Sequence, residues 1–205
     1  MEDNKVTHYI KETLKNMPSD WLNLTTHRLD IYNEKLAKTQ FLDEFEMLFH
    51  SNNYEKTSLE KLPTAYDYIR LGHPLSCILE WGIAKLNNLE QKNVISFDSK
   101  TVPVLAILRT NLLANKNTQI LYKGELPASF DAETIKKVYG YNFELKQIEN
   151  QDEVSEYNGS TVFISSAETI ESTILNPNID FYINLYGQLG SMLIVNGERN
   201  ENYIS

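Results

Sequence analysis

Cysteine, long apolar runs and clustered basic residues are all scarce in this 205-residue sequence. Cys77 is the one cysteine, so the chain cannot form an intramolecular disulfide. No apolar run approaches the roughly 20 residues that a membrane-spanning helix requires. The net charge is −9, and binding to a phosphate backbone depends on Lys and Arg clusters that are absent here. With no signal-peptide pattern at the start, we expect a cytoplasmic protein that binds neither membrane nor nucleic acid.

The usual signatures of nucleotide and hydrolase sites are also missing. The sequence has no Gly-x-Gly-x-x-Gly, Walker loop, Cys-x-x-Cys or Gly-x-Ser-x-Gly. The four histidines, His8, His27, His50 and His73, are too dispersed for metal-ligand spacing, so no metal site is expected. Gly187 and Gly190 are interpreted as a hairpin turn between two strands rather than as a phosphate-binding loop.

The order of apolar positions predicts an α/β fold with an N-terminal helical segment. Residues 5–50 show helical spacing interrupted at Pro18, and 51–65 are predicted to be a loop. Short β-rich runs then alternate with helical ones, which is typical of a mainly parallel sheet flanked by helices. We therefore expect a helical segment at 1–60 and one compact α/β domain at 61–205. The predicted strands are 93–98, 118–122, 142–148, 161–165, 180–185 and 191–196, and the predicted helices of this domain are 74–87, 103–114, 131–139 and 166–173.

The most specific pattern is the stretch at 66–86, YDYIRLGHPLSCILEWGIAKL. It resembles Tyr-x-Tyr-x-Arg-x-Gly-Asn-Pro-Thr followed by Leu-Glu-x-x-Ile-Ala-x-Leu in the cystathionine synthase and lyase family, the pyridoxal-phosphate (PLP) enzymes of cysteine and methionine metabolism. The resemblance implies that Tyr68 and Arg70 reach a neighbouring subunit and hold the cofactor phosphate there. A guanidinium can grip phosphate through paired charge-assisted hydrogen bonds, and a phenol adds a further donor.

The resemblance continues in the same order over about residues 60–197. Ser99 and Lys100 fall where the family has Phe-x-Ser-Gly-Met, whose backbone amides hold the phosphate at a helix start. Tyr122 falls on the family's Leu-Tyr-Gly-Gly, whose tyrosine ring stacks on the cofactor. Residues 179–184 look like the strand before the lysine-bearing loop. The resemblance thus implies a fold like the PLP-transferase large domain (fold type I), with a relic phosphate site at Tyr68, Arg70, Ser99, Lys100 and Tyr122.

Several departures separate this chain from a working PLP enzyme. Lys100 replaces the glycine of Ser-Gly-Met, where the backbone approaches the phosphate closely. The Schiff-base lysine should fall near Gln188, but the last lysine of the sequence is Lys146. Without that amine no internal aldimine can form, so we expect neither catalytic residues nor bound PLP. Ser165 and Ser166 stand where the family places an aspartate facing the pyridine nitrogen, and we expect the family's smaller C-terminal domain to be absent.

Three hypotheses follow from this pattern. The first is a degenerate, non-catalytic relative of the family that acts through binding or subunit association, either as a homo-oligomer or with a paralogous PLP-enzyme subunit. A homodimer is expected because a sheet without its small domain leaves apolar surface, for which Trp81 and Tyr68 are candidates. The second is a partner subunit whose Tyr68 and Arg70 complete the site of a lysine-containing enzyme. The third is an unrelated small-molecule-binding α/β module that uses the loops after residues 98 and 122.

Overall fold

The computed structural model describes residues 2–22, 34–63, 73–166, 175–187 and 190–197. Its contacts divide the chain into two compact units, Met1–Gln91 and Lys92–Ser205. The sequence predicts a helical segment at 1–60 and an α/β domain at 61–205. Helix α4, Pro74–Leu86, packs against the N-terminal helices and so belongs to the first compact unit.

The described part of the first unit is helical. Its helices are α1 (Glu2–Asn16), α2 (Glu34–His50), α3 (Lys56–Leu59) and α4, with a short 3-10 turn at Ser19–Leu22. Helices predicted within 5–50 are confirmed by α1 and α2, whereas the predicted loop at 51–65 contains the one-turn helix α3. None of the described helices of the chain is long and apolar enough to cross a membrane.

Aromatic rings fill the core of this unit. Tyr9 and Phe45 are fully buried, with ring centroids 5.5 Å apart. Trp81 is equally buried and meets Phe45 edge to face at 5.1 Å. The Tyr9 hydroxyl donates a hydrogen bond of 2.8 Å to the Asn53 carbonyl, which satisfies a polar group that would otherwise be costly to bury. The core is therefore held by ring packing together with specific polar partners.

The second unit is a six-stranded sheet with strand order β1-β6-β5-β4-β2-β3. Strands β2, β3, β4 and β5 run parallel, and β6 is antiparallel to both of its neighbours, β1 and β5. The predicted α/β fold with a mostly parallel sheet flanked by helices is confirmed, and each predicted strand overlaps an observed one. The strands are β1 (Val94–Phe97), β2 (Thr118–Lys123), β3 (Glu144–Gln147), β4 (Ser160–Ser166), β5 (Phe181–Tyr186) and β6 (Gly190–Val195).

Helices α5 (Val102–Leu113) and α6 (Ala132–Tyr139) pack on one face of this sheet. The strands present an apolar row there because Ile120 aligns with Val162 and Val162 aligns with Phe181. Asn111 of α5 fixes the helix to the strands, donating to Thr118 Oγ1 at 2.9 Å and accepting from Ser160 Oγ at 3.3 Å. The residues of the opposite face are buried as well: Leu121, Phe163, Tyr182 and Ile194.

The predicted helix ends and hairpin turn of the second unit are confirmed where the structure describes them. Asp131 caps α6 by accepting from the amides of Glu133 and Thr134 at 3.1 Å, and Gly140 ends the helix with φ 69°. The hairpin between β5 and β6 is present, with Tyr186 opposite Gly190. Gly190 has φ 89°, and a Cβ there would lie 2.1 Å from the Phe97 carbonyl oxygen. Gln188 and most of the predicted helix at 166–173 lie outside the described residues.

Candidate functional site

The carboxyl edge of the sheet is where the sequence places a ligand. Strands β1, β2, β4 and β5 all end at this edge, since β6 alone runs against its neighbours. Ligands of open α/β sheets bind outside the carboxyl ends of the strands. Ser99 and Lys100 follow β1, and Tyr122 lies near the end of β2, so these three candidates lie along one edge. The other two, Tyr68 and Arg70, lie outside the described residues.

The strand order brings together only part of this predicted set. Strands β6, β5 and β4 lie between β1 and β2. At about 4.8 Å per strand, the ends of β1 and β2 are on the order of 19 Å apart across the sheet. Ser99 and Lys100 are thus neighbours, while Tyr122 belongs to another part of the edge. The Tyr122 side chain packs beside the aliphatic core of the unit, and its carbonyl accepts from the Ile148 amide at 2.9 Å.

The Ser99 side chain, just before α5, accepts hydrogen bonds from backbone amides at the start of this helix. Ser99 Oγ accepts from the amides of Thr101 and Val102, each at 3.2 Å. The Ser99 carbonyl accepts from Ser191 Oγ at 2.6 Å, which ties this turn to the start of β6. Backbone amides at a helix start can hold an anion only while they are free to donate. Two of the amides that could cradle a phosphate here are therefore already engaged.

Neutral side chains occupy the ends of β4 and β5. Ser165 Oγ lies 3.2 Å from Asn184 Oδ1, and the two residues are paired in the sheet register. Burial raises the pKa of the nearby Tyr186 hydroxyl, and its hydrogen bond with Asn184 offsets that rise only in part. A hydroxyl and an amide carry no negative charge, so the Ser165 and Asn184 pair cannot balance a protonated pyridine nitrogen as an aspartate does.

A separate cleft of about 300 Å³ lies within the first unit. None of the sequence motifs predicts this cleft. Its lining combines three carboxylates, one ammonium, a buried indole and an amide: Asp43, Glu46, Trp81, Ala84, Lys85, Leu89, Glu90 and Gln91. The Gln91 Oε1 atom is buried and has no hydrogen-bond partner within the described part of the chain.

Glu46 is the centre of the polar contacts in this cleft. Its Oε1 atom accepts from Lys85 Nζ at 2.6 Å and lies 3.1 Å from His50 Nε2, while its Oε2 atom accepts from the Trp81 indole. Burial alone would raise the pKa of Glu46, but the hydrogen bonds from Lys85 and Trp81 outweigh that effect and hold the pKa below its usual value. The carboxylate is thus charged and held in place, and with both oxygens engaged it is poorly placed to act as a general base.

The sequence contained a usable signal for this cluster. Glu46 and His50 are four residues apart on α2, and Trp81 and Lys85 are four residues apart on α4, which puts each pair on one helix face. What the sequence could not show is that the two faces meet. Trp81 was a candidate for an exposed association surface, and that prediction is wrong: the side chain is 0% exposed because it packs among the core rings.

Comparisons with known proteins add little to this geometry. No protein-family model matches the chain. No curated protein matches it either. Among solved structures, the chain is similar to an O-acetylhomoserine (thiol)-lyase from Campylobacter jejuni that contains N′-pyridoxyl-lysine-5′-monophosphate, with a TM-score of 0.36 and 14% identity. The match covers 66% of this chain and 45% of that protein, so the chain spans less than half of its length. Nothing about function follows from a likeness at this level.

Proposed function

We propose that this chain is a PLP-transferase-like protein that acts through binding or subunit association and does not catalyse PLP chemistry. The observation that carries the proposal is the distribution of lysines, because Lys146 is the last one in the sequence and no amine follows it. An internal aldimine needs a lysine at the cofactor site. Lys146 itself lies on the edge strand β3, with β2 as its pairing neighbour.

The carboxyl edge of the sheet supports the same proposal in two ways. The amides of Thr101 and Val102 are engaged by Ser99 Oγ rather than directed at a ligand. The Ser165 and Asn184 pair is neutral, which removes the charge that would stabilise the protonated cofactor ring. Any anion at Ser99 and Lys100 would be held mainly by the lysine charge, so we expect inorganic phosphate to bind only at about millimolar concentrations.

Absorbance spectroscopy tests the catalytic half of the proposal. The purified protein, incubated with PLP and then desalted, should lack the yellow absorbance of an internal aldimine and should not eliminate from cystathionine. A lysine-containing cystathionine lyase treated in the same way serves as the positive control. A retained absorbance band that borohydride removes, with a pyridoxyl group mapped to one lysine, would show that the chain is not catalytically silent.

Exposed apolar side chains of the second unit support the association half. Leu113 is 74% exposed at the end of α5, and Val138 is 66% exposed near the end of α6. Both residues lie near the C-terminal ends of their helices, and each helix is followed by a strand, β2 or β3. These helix ends therefore lie toward the edge where the parallel strands begin, away from the carboxyl edge. They replace Trp81 as candidate positions for contact between two copies of the chain.

Light scattering tests the association directly. We expect about twice the 23.7 kDa chain mass at high micromolar concentration. Leu113→Glu combined with Val138→Glu should reduce the mass to that of one chain without unfolding the protein, because both side chains are exposed. Lys137→Glu, which makes the same change of net charge at an exposed position of α6, is the matched control. A monomer mass for the unaltered protein at high concentration would refute homodimerisation.

A further inference from the structure

Two Asn-Gly pairs occur in the second unit, Asn158-Gly159 and Asn196-Gly197. In such a pair the glycine nitrogen can attack the asparagine side-chain carbonyl carbon, because glycine has no side chain to obstruct the approach. Attack forms an N–Cγ bond with loss of the glycine amide proton, and the Cγ–Nδ2 bond breaks as ammonia leaves. Water then opens the resulting succinimide at either carbonyl, giving aspartate or isoaspartate with no change of oxidation state.

The structure holds the second pair in an unreactive arrangement. Asn196 Nδ2 donates to the carbonyls of Asn176 and Ile179 at 3.0 and 2.9 Å. The Asn196 backbone amide also donates to the Asp180 carbonyl at 2.8 Å. The side-chain amide cannot rotate toward the Gly197 nitrogen until both of its hydrogen bonds open. The contacts that anchor the end of β6 therefore protect Asn196.

The side chain of the first pair has no such anchor. Asn158 is exposed, and its side chain makes no hydrogen bond within the described residues. One hydrogen bond engages the attacking nitrogen, since the Gly159 amide donates to the Tyr157 carbonyl at 2.9 Å, and this bond must open before Asn158 reacts. We propose that Asn158 is a modification site that converts to aspartate and isoaspartate, with water as the co-reactant, while Asn196 stays intact.

Packing explains why glycine stands next to Asn158. A Cβ on Gly159 would lie 2.5 Å from the Asn117 carbonyl oxygen and 2.6 Å from Tyr157 Cε1. The Asn117 carbonyl cannot retreat without cost, because it accepts from the Ser160 amide at 2.8 Å. The fold thus requires a glycine at the entry to β4, and the asparagine before it becomes susceptible as a consequence.

The isoaspartate product should disturb β4 more than the aspartate product does. Isoaspartate routes the main chain through the side-chain methylene, which lengthens the backbone just before Ser160. Ser160 is fully buried and accommodates little movement, since its Oγ donates to Asn111 Oδ1 and its residue pairs with Thr118 in the sheet register. Aspartate adds a charge at an exposed position and leaves the backbone path unchanged.

Peptide mapping of the full chain after prolonged incubation in mildly alkaline buffer tests the proposal. Mass spectrometry should show loss of ammonia and addition of water in the Asn158 peptide. This conversion should be at least about tenfold faster than in the Asn196 peptide, because both side-chain hydrogen bonds of Asn196 must open first. In denaturant the two peptides should react at similar rates, which would assign the difference to the fold. Equal rates in the folded protein, or faster conversion of Asn196, would overturn the proposal.

Two variants separate the deamidation of Asn158 from its effect on the melting temperature. Asn158→Ser should abolish the mass change at this position and the labelling by an isoaspartyl methyltransferase. Asn158→Asp reproduces the charge without the backbone insertion, so its melting temperature should stay near that of the unaltered protein. The isoaspartate fraction, separated by ion exchange, should melt at a lower temperature than Asn158→Asp. Identical melting of these two forms would show that β4 tolerates the longer backbone and would refute the predicted consequence.

Discussion

The two units of this protein build their cores in different ways. The first relies on large rings, two of which have a specific polar partner: Tyr9 donates to the Asn53 carbonyl and Trp81 donates to Glu46. The second relies on aliphatic rows that repeat across neighbouring strands, with Ile120 beside Val162 and Ile164 beside Ile183. A ring with a fixed partner is hard to replace, whereas one member of a repeated row has neighbours of similar shape. We therefore expect single substitutions in the core to lower the free energy of unfolding more in the first unit than in the second.

Truncation of one core side chain in each unit gives the largest expected effect. Phe45→Ala should lower the free energy of unfolding by about 3–5 kcal/mol, because it leaves a cavity among rings that cannot collapse around it. Ile183→Ala in the second unit should cost less, about 2–3 kcal/mol, because neighbouring aliphatic side chains of similar shape can close part of the cavity. Phe45 and Ile183 are both 0% exposed. Chemical denaturation followed by circular dichroism measures both, and equal losses would contradict the comparison.

Removing the charge of Glu46 tests the polar partner of the first unit. Glu46→Gln should cost about 1–3 kcal/mol at neutral pH, because the donors Lys85 and Trp81 would lose a charged acceptor. The folded-state pKa of Glu46 lies below its ordinary value of 4.5, so the carboxylate's stabilisation is fully present above that value. It is lost as the pH falls through the lowered pKa.

The pH dependence of the unfolding free energy is a second test of the role of Glu46. Stability curves of the unaltered protein and Glu46→Gln should differ most at neutral pH and converge in acid. Asp43→Asn is the matched control, since Asp43 lines the same cleft and is exposed. Its stability should follow that of the unaltered protein across the range. A constant gap between the Glu46→Gln and unaltered curves would show that the charge of Glu46 is not what stabilises the cluster.

Loss of the Ser99 hydroxyl should have a smaller effect on the second unit. Ser99→Ala should lower the free energy of unfolding by about 1 kcal/mol, because the amides of Thr101 and Val102 lose their acceptor. Those amides become free to donate, so titration with inorganic phosphate should shift the Thr101 and Val102 amide resonances more than in the unaltered protein. Ser155→Ala, at an exposed position of the same unit, should change neither quantity. Unchanged phosphate shifts in Ser99→Ala would argue against an anion site at this turn.

The smallest effect is expected at a surface tyrosine of the second unit. The Tyr157 hydroxyl donates to Glu144 Oε1 over 3.4 Å at an exposed position, and partial burial together with that carboxylate raises its pKa. Tyr157→Phe should change the unfolding free energy by less than about 0.5 kcal/mol. Tyr9→Phe should cost about 1 kcal/mol, because the Asn53 carbonyl would lose a partly buried donor. Thermal melts of the two variants should therefore separate, and a larger loss for Tyr157→Phe would reverse the comparison between the units.

Local patterns in the sequence were enough to predict the secondary structure of the second unit. Asp131 and Gly140 mark the ends of α6 because capping depends on a few neighbouring backbone groups. Gly187 and Gly190 indicate the hairpin for the same reason, and alternation of strands and helices indicates the sheet. The missing lysine after Lys146 could also be found in the sequence alone. Each of these features depends on residues close together in the chain or on composition.

Contacts between distant residues decided the rest. The two compact units divide at 91/92 because α4 packs with the N-terminal helices, and no local signal encodes that contact. Trp81 became a core residue, and Glu46 acquired Lys85 as a partner 39 positions away, only because α2 and α4 meet. The strand order likewise separated Tyr122, near the end of β2, from Lys100, which follows β1. The sequence determined which elements form, since local propensities set them, whereas tertiary packing determined which side chains meet and which of two Asn-Gly pairs is anchored.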